Sequence, residues 1–191
     1  MTGRTHDAIA FAALVTAANY YPPTSLNFLT LIASLIGTTI GALSPDLDQA
    51  TNRLWYFLPG GNLAGKIFQP LFLGHRNLSH SLLGAYFYHK VLHWLLPHIL
   101  NGQYVNINLV YLSIMIGYIS HLVADSVTEE GLPLFFPFKL KVGFPPIASW
   151  RIKTDHWFEH LVVLPGTLVY LAWFVIVHRE QLVRVLRLIN S

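Results

Sequence analysis

A chain of 191 residues that is 53% hydrophobic and only 11% charged lacks the polar surface of a water-soluble domain, in which about 25% of residues are charged. Lipid is the solvent this composition fits, and the length suits one membrane-embedded domain, residues 1–191. There is no cysteine, so disulfide frameworks and thiolate metal sites are excluded and any metal must be held by His, Asp or Glu. The formal charge of +3 comes without a basic tract interleaved with aromatics, and no nucleic acid partner is expected.

The N-terminus, MTGRTHDAIAFAALV, places an Arg before an apolar run as signal peptides do. His6 and Asp7 interrupt the position where the apolar core should begin, and no small-residue cleavage site follows, so the segment is expected to be retained. Ala8–Tyr21 is too short for an upright span and reads as tilted, interfacial or packed inside a bundle. After the breaker Tyr21-Pro22-Pro23-Thr24 comes Leu26–Leu43, an uncharged run of spanning length. Pro45 ends it and presents Asp46-Leu47-Asp48, read here as an extended hook.

The connection Ser44–Ser79 is rich in Gly, Pro and Asn, with a short helical piece near Gly65–Leu73. At its end His75 and Arg76 precede Ser79-His80-Ser81, with Ser79 as the expected N-cap of the next helix. Leu82–Leu96 has helical periodicity, interrupted by His89, Lys90 and His93. Val105–Ala124 is a second apolar span, and its end carries His121 and Asp125. Four residues apart on a helix, they share a face and can grip one ion without bending the backbone.

Leu132–Trp150 mixes aromatics, prolines and the lysines Lys139 and Lys141, and reads as a loop at headgroup depth. Glu159 opens the last apolar run, Leu161–Val177, and a short amphipathic tail follows from His178. Nothing alternates with the period of a strand. The expected fold is all-α: a polytopic membrane bundle of about five up-and-down helices, since backbone polar groups in lipid must be satisfied within helices or closed barrels.

That alternation sorts the ionisable residues. The start of the first helix, the end of the second, the start of the third, the end of the fourth and the start of the fifth emerge on one membrane face. They carry His6, Asp46 and Asp48, His75 and His80, His121 and Asp125, and Glu159. Of the acidic residues only Glu180 falls elsewhere. These eight are the candidate metal ligands, with Asp46, Asp48, Arg76 and Glu159 as candidate catalytic groups. Each has a plainer reading: a buried hydrogen-bonded pair for His121 and Asp125, a solvated helix stop for Asp46 and Asp48, a first-turn acid favoured by the helix dipole for Glu159. His156 and His160 stay open as further ligands, while His89, His93 and His98 lie towards the other end of the third helix. Most Lys and Arg residues fall on the ligand face, which places it in the cytoplasm.

The order PDLD (Pro45–Asp48), HRNLSHS (His75–Ser81), HLVAD (His121–Asp125), TEEGLPLFFP and a late Glu159 resembles the YdjM-like family of bacterial inner-membrane proteins, described as predicted metal-dependent hydrolases. That family is distantly similar to the zinc-dependent phospholipase C superfamily, whose members hold up to three zinc ions with His, Asp and Glu and cleave phosphoester bonds. Carried over, the resemblance implies His121 and Asp125 as an HxxxD ligand pair and His6 as the early histidine. Asp46 or Asp48, His75 or His80, and Glu159 complete the set. The phospholipases also ligate through a processed N-terminal tryptophan, and this chain begins with Met1, so two zinc ions are expected rather than three.

Together these readings describe a membrane-embedded metal-dependent hydrolase. A metal-activated water attacks the phosphoester, an aspartate accepts the water's proton, and Arg76 or Lys153 steadies the phosphate. A site opening at the bilayer surface implies a lipid or another amphiphilic, phosphate-containing substrate. The alternative is a non-enzymatic membrane protein: a metal transporter or sensor, or a structural or regulatory protein whose polar cluster only stabilises the bundle.

Overall fold

The computed structural model describes residues 1–49, 51–56, 61–68, 76–138 and 140–190. His75, Lys139 and the far end of the helical piece expected at 65–73 lie outside the described residues. The helices are α1 (Gly3–Tyr20), α2 (Phe28–Leu43), α3 (Arg53–Tyr56), α4 (Gly61–Phe68), α5 (Leu82–Ile99), α6 (Ile107–Ser126), α7 (Leu164–Val177) and α8 (Arg179–Arg187). A π-helical turn, Glu159–Val163, runs directly into α7. Among the described residues the only β pairing is two isolated bridges, Thr128 with Ile152 and Leu132 with Val142, which fold the 127–152 loop back on itself. The fold is all-α.

Among the described residues three helical stretches are long and apolar enough to cross a membrane: Phe28–Asp48, Ile107–Ser126 and Glu159–Val177. The helices α1 and α5 are of similar length but more polar, α1 with Arg4 and Asp7 and α5 with His89, Lys90 and His93. Asparagine starts two of the spans. Asn27 accepts the backbone N–H of Thr30, and Asn106 that of Leu109, so one orphan donor of each first turn is satisfied.

The closest pair is α2 against α6, and glycine makes the approach possible. A Cβ on Gly41 would stand 2.0 Å from the carbonyl oxygen of Ile114, and one on Gly117 2.2 Å from that of Thr38. Backbones this close are a known use of small residues between membrane helices. The contacts rise in step (37 with 110 and 114, 41 with 114 and 118), so the two helices run parallel and end together. Beside them Tyr88 of α5 stacks on Tyr118 of α6 with ring centroids 4.4 Å apart, and Leu92, Leu96, Val110 and Ile114 form one core cluster while Leu122 and Leu132 pack with Tyr118 in another.

Two local expectations are corrected. The aspartate hook is a 3-10 turn, Ser44–Asp48, because Pro45 at its first positions suits a helical φ and the chain tightens rather than extends. The N-cap of α5 is Ser81, whose Oγ accepts from Gly84 N at 3.0 Å; Ser79 faces inward instead. The 132–150 loop exposes Phe135, Phe138, Phe144 and Trp150, as a headgroup-level loop does.

Candidate metal centre

The starts of α1, α5 and the Glu159–Val177 helix meet the ends of α2 and α6 at one end of the bundle, and their polar side chains converge there. His121, on the last turn but one of α6, donates from Nδ1 to the carbonyl oxygen of Ala42 at 2.6 Å. A carbonyl only accepts, so Nδ1 carries a proton, and in the neutral ring Nε2 presents its lone pair inward. That nitrogen lies 3.8 Å from Asp46 Oδ1 and 3.6 Å from Asp125 Oδ2.

His80 is set in the same way. Ser79 Oγ donates to Asp48 Oδ2 at 2.8 Å and therefore accepts from His80 Nδ1, 3.0 Å away. The His80 Nε2 lone pair then faces Asp46 Oδ1 at 3.5 Å and Asp125 Oδ2 at 3.6 Å. His80 is wholly buried, and burial pushes its pKa below the ordinary imidazole value. His6 stacks on His121 with ring centroids 3.6 Å apart, its Nε2 3.2 Å from Asp125 Oδ1.

Among the described residues two sets of donors share His121, each with its donor atoms within 4.8 Å of one another: His6, Asp46 and His121, and His80, His121 and Asp125. Imidazole lone pairs aimed at carboxylate oxygens in a buried space repel unless a proton or cation lies between them. Among the described residues His121 Nε2, Asp46 Oδ1 and His6 Nδ1 find no hydrogen-bond partner. Zinc with ligands at about 2.0–2.1 Å in tetrahedral geometry spaces its donors about 3.4 Å apart, close to the separations found here. The residues present fit a divalent cation.

Cations of the protein also reach Asp125. The Met1 amino group lies 2.6 Å from its Oδ1 and the Arg76 guanidinium 2.5 Å from its Oδ2. Arg76 also lies 3.0 Å from the half-exposed Glu130 carboxylate. It adopts a positive φ of 54°, and its backbone N–H donates to Asp48 Oδ2 at 2.8 Å.

Other expected site residues sit elsewhere. Asp48 holds Ser79 and the Arg76 turn and, among the described residues, belongs to neither donor set. Glu159 is fully buried and, among the described residues, belongs to neither donor set. Its Oε1 accepts from Thr2 N and Oγ1 at 2.6 and 2.9 Å, and its Oε2 from Asp155 N at 2.8 Å. It therefore ties the start of α1 to the entry of the last span. Exposed His160 pairs with Asp155 at 2.9 Å. His89 meets Tyr111 at 2.5 Å, near His93 on α5. Sequence reasoning passed over Ser79 and Ala42; a carbonyl carries no sequence signal, and Ser79 reads equally well as a cap.

With this geometry in view the relatives become informative. The profile of the YdjM inner membrane protein family matches residues 1–186. The chain belongs to that family. The uncharacterized protein YvsG of Bacillus subtilis (strain 168) is 29% identical over 174 residues, 91% of this chain and 94% of YvsG. The inner membrane protein YdjM of Escherichia coli (strain K12) is 30% identical over 118 residues, 57% of this chain and 52% of that protein; YdjM of Shigella flexneri matches equally. No solved structure matches. Membership of the YdjM family and the three apolar helices agree on an inner-membrane protein.

Proposed function

We propose that this chain is a membrane-embedded, metal-dependent hydrolase that cleaves a phosphoester bond in a lipid or other amphiphilic substrate. The supporting observation is the pair of buried imidazoles, His80 and His121, with their Nδ1 protons engaged and their Nε2 lone pairs aimed at Asp46 and Asp125. In this reading the chain crosses the membrane several times, with the site at the cytoplasmic face, where most of its Lys and Arg residues lie.

A divalent metal, zinc by the nitrogen–oxygen donor set, supplies a water that ionises near neutral pH and charge to offset the phosphate oxygens. His80, His121 and Asp125 would hold it, with His6 and Asp46 as the neighbouring donors. Asp46 is 21% exposed where Asp125 is 0%, so Asp46 is the carboxylate with an open edge to take a proton from the attacking water. The guanidinium of Arg76 reaches the rim through Glu130, and a substrate phosphate displaces that exposed carboxylate for a two-pronged contact. Asp48 and Glu159 position the machinery and do not touch substrate.

Elemental analysis of the detergent-purified chain tests this. The unmodified protein carries stoichiometric zinc or a similar divalent ion, and Asp125→Ala loses both the metal and phosphoesterase turnover. A second reading, a non-enzymatic membrane protein with a structural polar cluster, draws on the Met1 amino group and Arg76, which already neutralise Asp125. A well-folded chain free of metal after purification without chelators would favour it.

A further inference from the structure

Outside the polar cluster a groove of about 760 Å³ runs between α1 and the last span, lined by Ile9, Ala13, Ala17, Val162, Gly166 and Tyr170 among others. Both walls start at the cluster. On α1 the stripe from His6 through Ile9, Ala13 and Ala17 follows helical spacing, and on the other wall Glu159 leads to Val162, Gly166 and Tyr170. Bonds from Thr2 to Glu159 clip the walls together at the cluster end, and a Thr16–Tyr170 hydroxyl bond of 2.9 Å bridges them further along. Between these bridges small residues leave the walls apart, and a Cβ built on Gly166 meets nothing within 4 Å.

The surroundings of the groove say what fills it. Only 6% of the Glu159–Val177 span is buried, so the groove opens sideways into hydrocarbon. From Ile9 to Tyr20 it extends about 17 Å by the helical rise, close to the roughly 15 Å of one leaflet of a bilayer core. An aqueous substrate has no use for such a slot, and a bulky helix does not fit between walls already joined at two levels.

We infer that this groove is an acyl-chain site: it holds one hydrocarbon chain of a phosphate-bearing amphiphile, with the headgroup at the His/Asp cluster one helical turn beyond Ile9. The inference rests on the hydrolase reading for the fate of the headgroup, but the occupancy of the groove stands by itself. Its specificity is set by small side chains. Gly166 and Ala13 leave room for a chain, and filling that room blocks it.

The test uses the full chain in vesicles of phosphatidylglycerol carrying a diazirine at mid-chain, with photo-adducts mapped by mass spectrometry. Adducts are expected to be several-fold enriched on Ala13, Ala17 and Gly166 over Val169 and Ile176, which are exposed on the same span. Gly166→Trp, whose side chain enters open space, abolishes that enrichment, and Ala13→Leu reduces it. Even labelling of the span, or chain-to-chain adducts showing that a second copy occupies the groove, overturns the inference. Hydrolysis by the unmodified chain is read in the same vesicles. Enrichment without hydrolysis leaves the lipid site and removes phosphatidylglycerol as the hydrolysed substrate, whereas hydrolysis with even labelling removes the lipid site and keeps the hydrolase reading.

Discussion

At the scale of single residues, the site depends as much on what holds the imidazoles as on the imidazoles themselves. A backbone carbonyl fixes the His121 tautomer, and a serine bonded to a buried aspartate fixes that of His80. Such outer contacts commonly change metal affinity by about 10–100-fold when removed. Asp48→Ala leaves the Arg76 N–H and the Ser79 hydroxyl without their acceptor, at about 1–3 kcal/mol for each buried group. The expected outcome is a lower melting temperature in detergent and weaker metal binding in a competition titration; unchanged metal affinity would show that Asp48 does not orient the donor set. His121 and Asp125 were legible from spacing alone. The work of Asp48 and Glu159 was not, because a carboxylate's partners depend on which loop folds over it.

At the scale of elements, glycine separates the parts of the bundle that must touch from the parts that must not. Gly41 and Gly117 admit a neighbouring carbonyl, while Gly166 faces open space. Gly117→Ala therefore forces α2 and α6 apart, with an expected cost of about 1–3 kcal/mol or more from overpacking. Gly166→Ala is expected to be neutral or stabilising by about 0.5–1 kcal/mol, since alanine loses less backbone freedom in a helix. Thermal denaturation of the two variants side by side checks the contrast, and equal shifts would mean that the α2–α6 contact is looser than described. Because His121 reaches Ala42 across this same seam, Gly117→Ala is expected to weaken metal binding as well.

At the scale of the whole molecule, burial couples the site to stability. The folded-state pKa of His80 lies below its ordinary value of 6.5, so the unfolded chain binds the proton more readily. Its contribution to stability is complete above pH 6.5 and is lost as pH falls through and below that value. Melting temperatures of chelator-treated protein are expected to drop between about pH 7 and pH 5. His80→Asn, which cannot titrate, reduces that dependence, and the buried His6 carries part of the remainder. An identical slope in the two proteins would place the pH sensitivity in other groups.

The sequence by itself determined the membrane solvent, the all-α class and the gathering of candidate ligands at one end, because apolar run length and helix alternation are properties of chain order. It also paired His121 with Asp125, since helical spacing is local. Only the tertiary structure decided that Asp46 and His80 join the candidate donor sets while Asp48 bonds to Ser79 and Glu159 to Thr2, and that α1 and the last span leave a slot between them. Those outcomes depend on how closely helices distant in the chain can approach, and the atoms that set this distance, glycine hydrogens and backbone carbonyls, leave no periodicity to read.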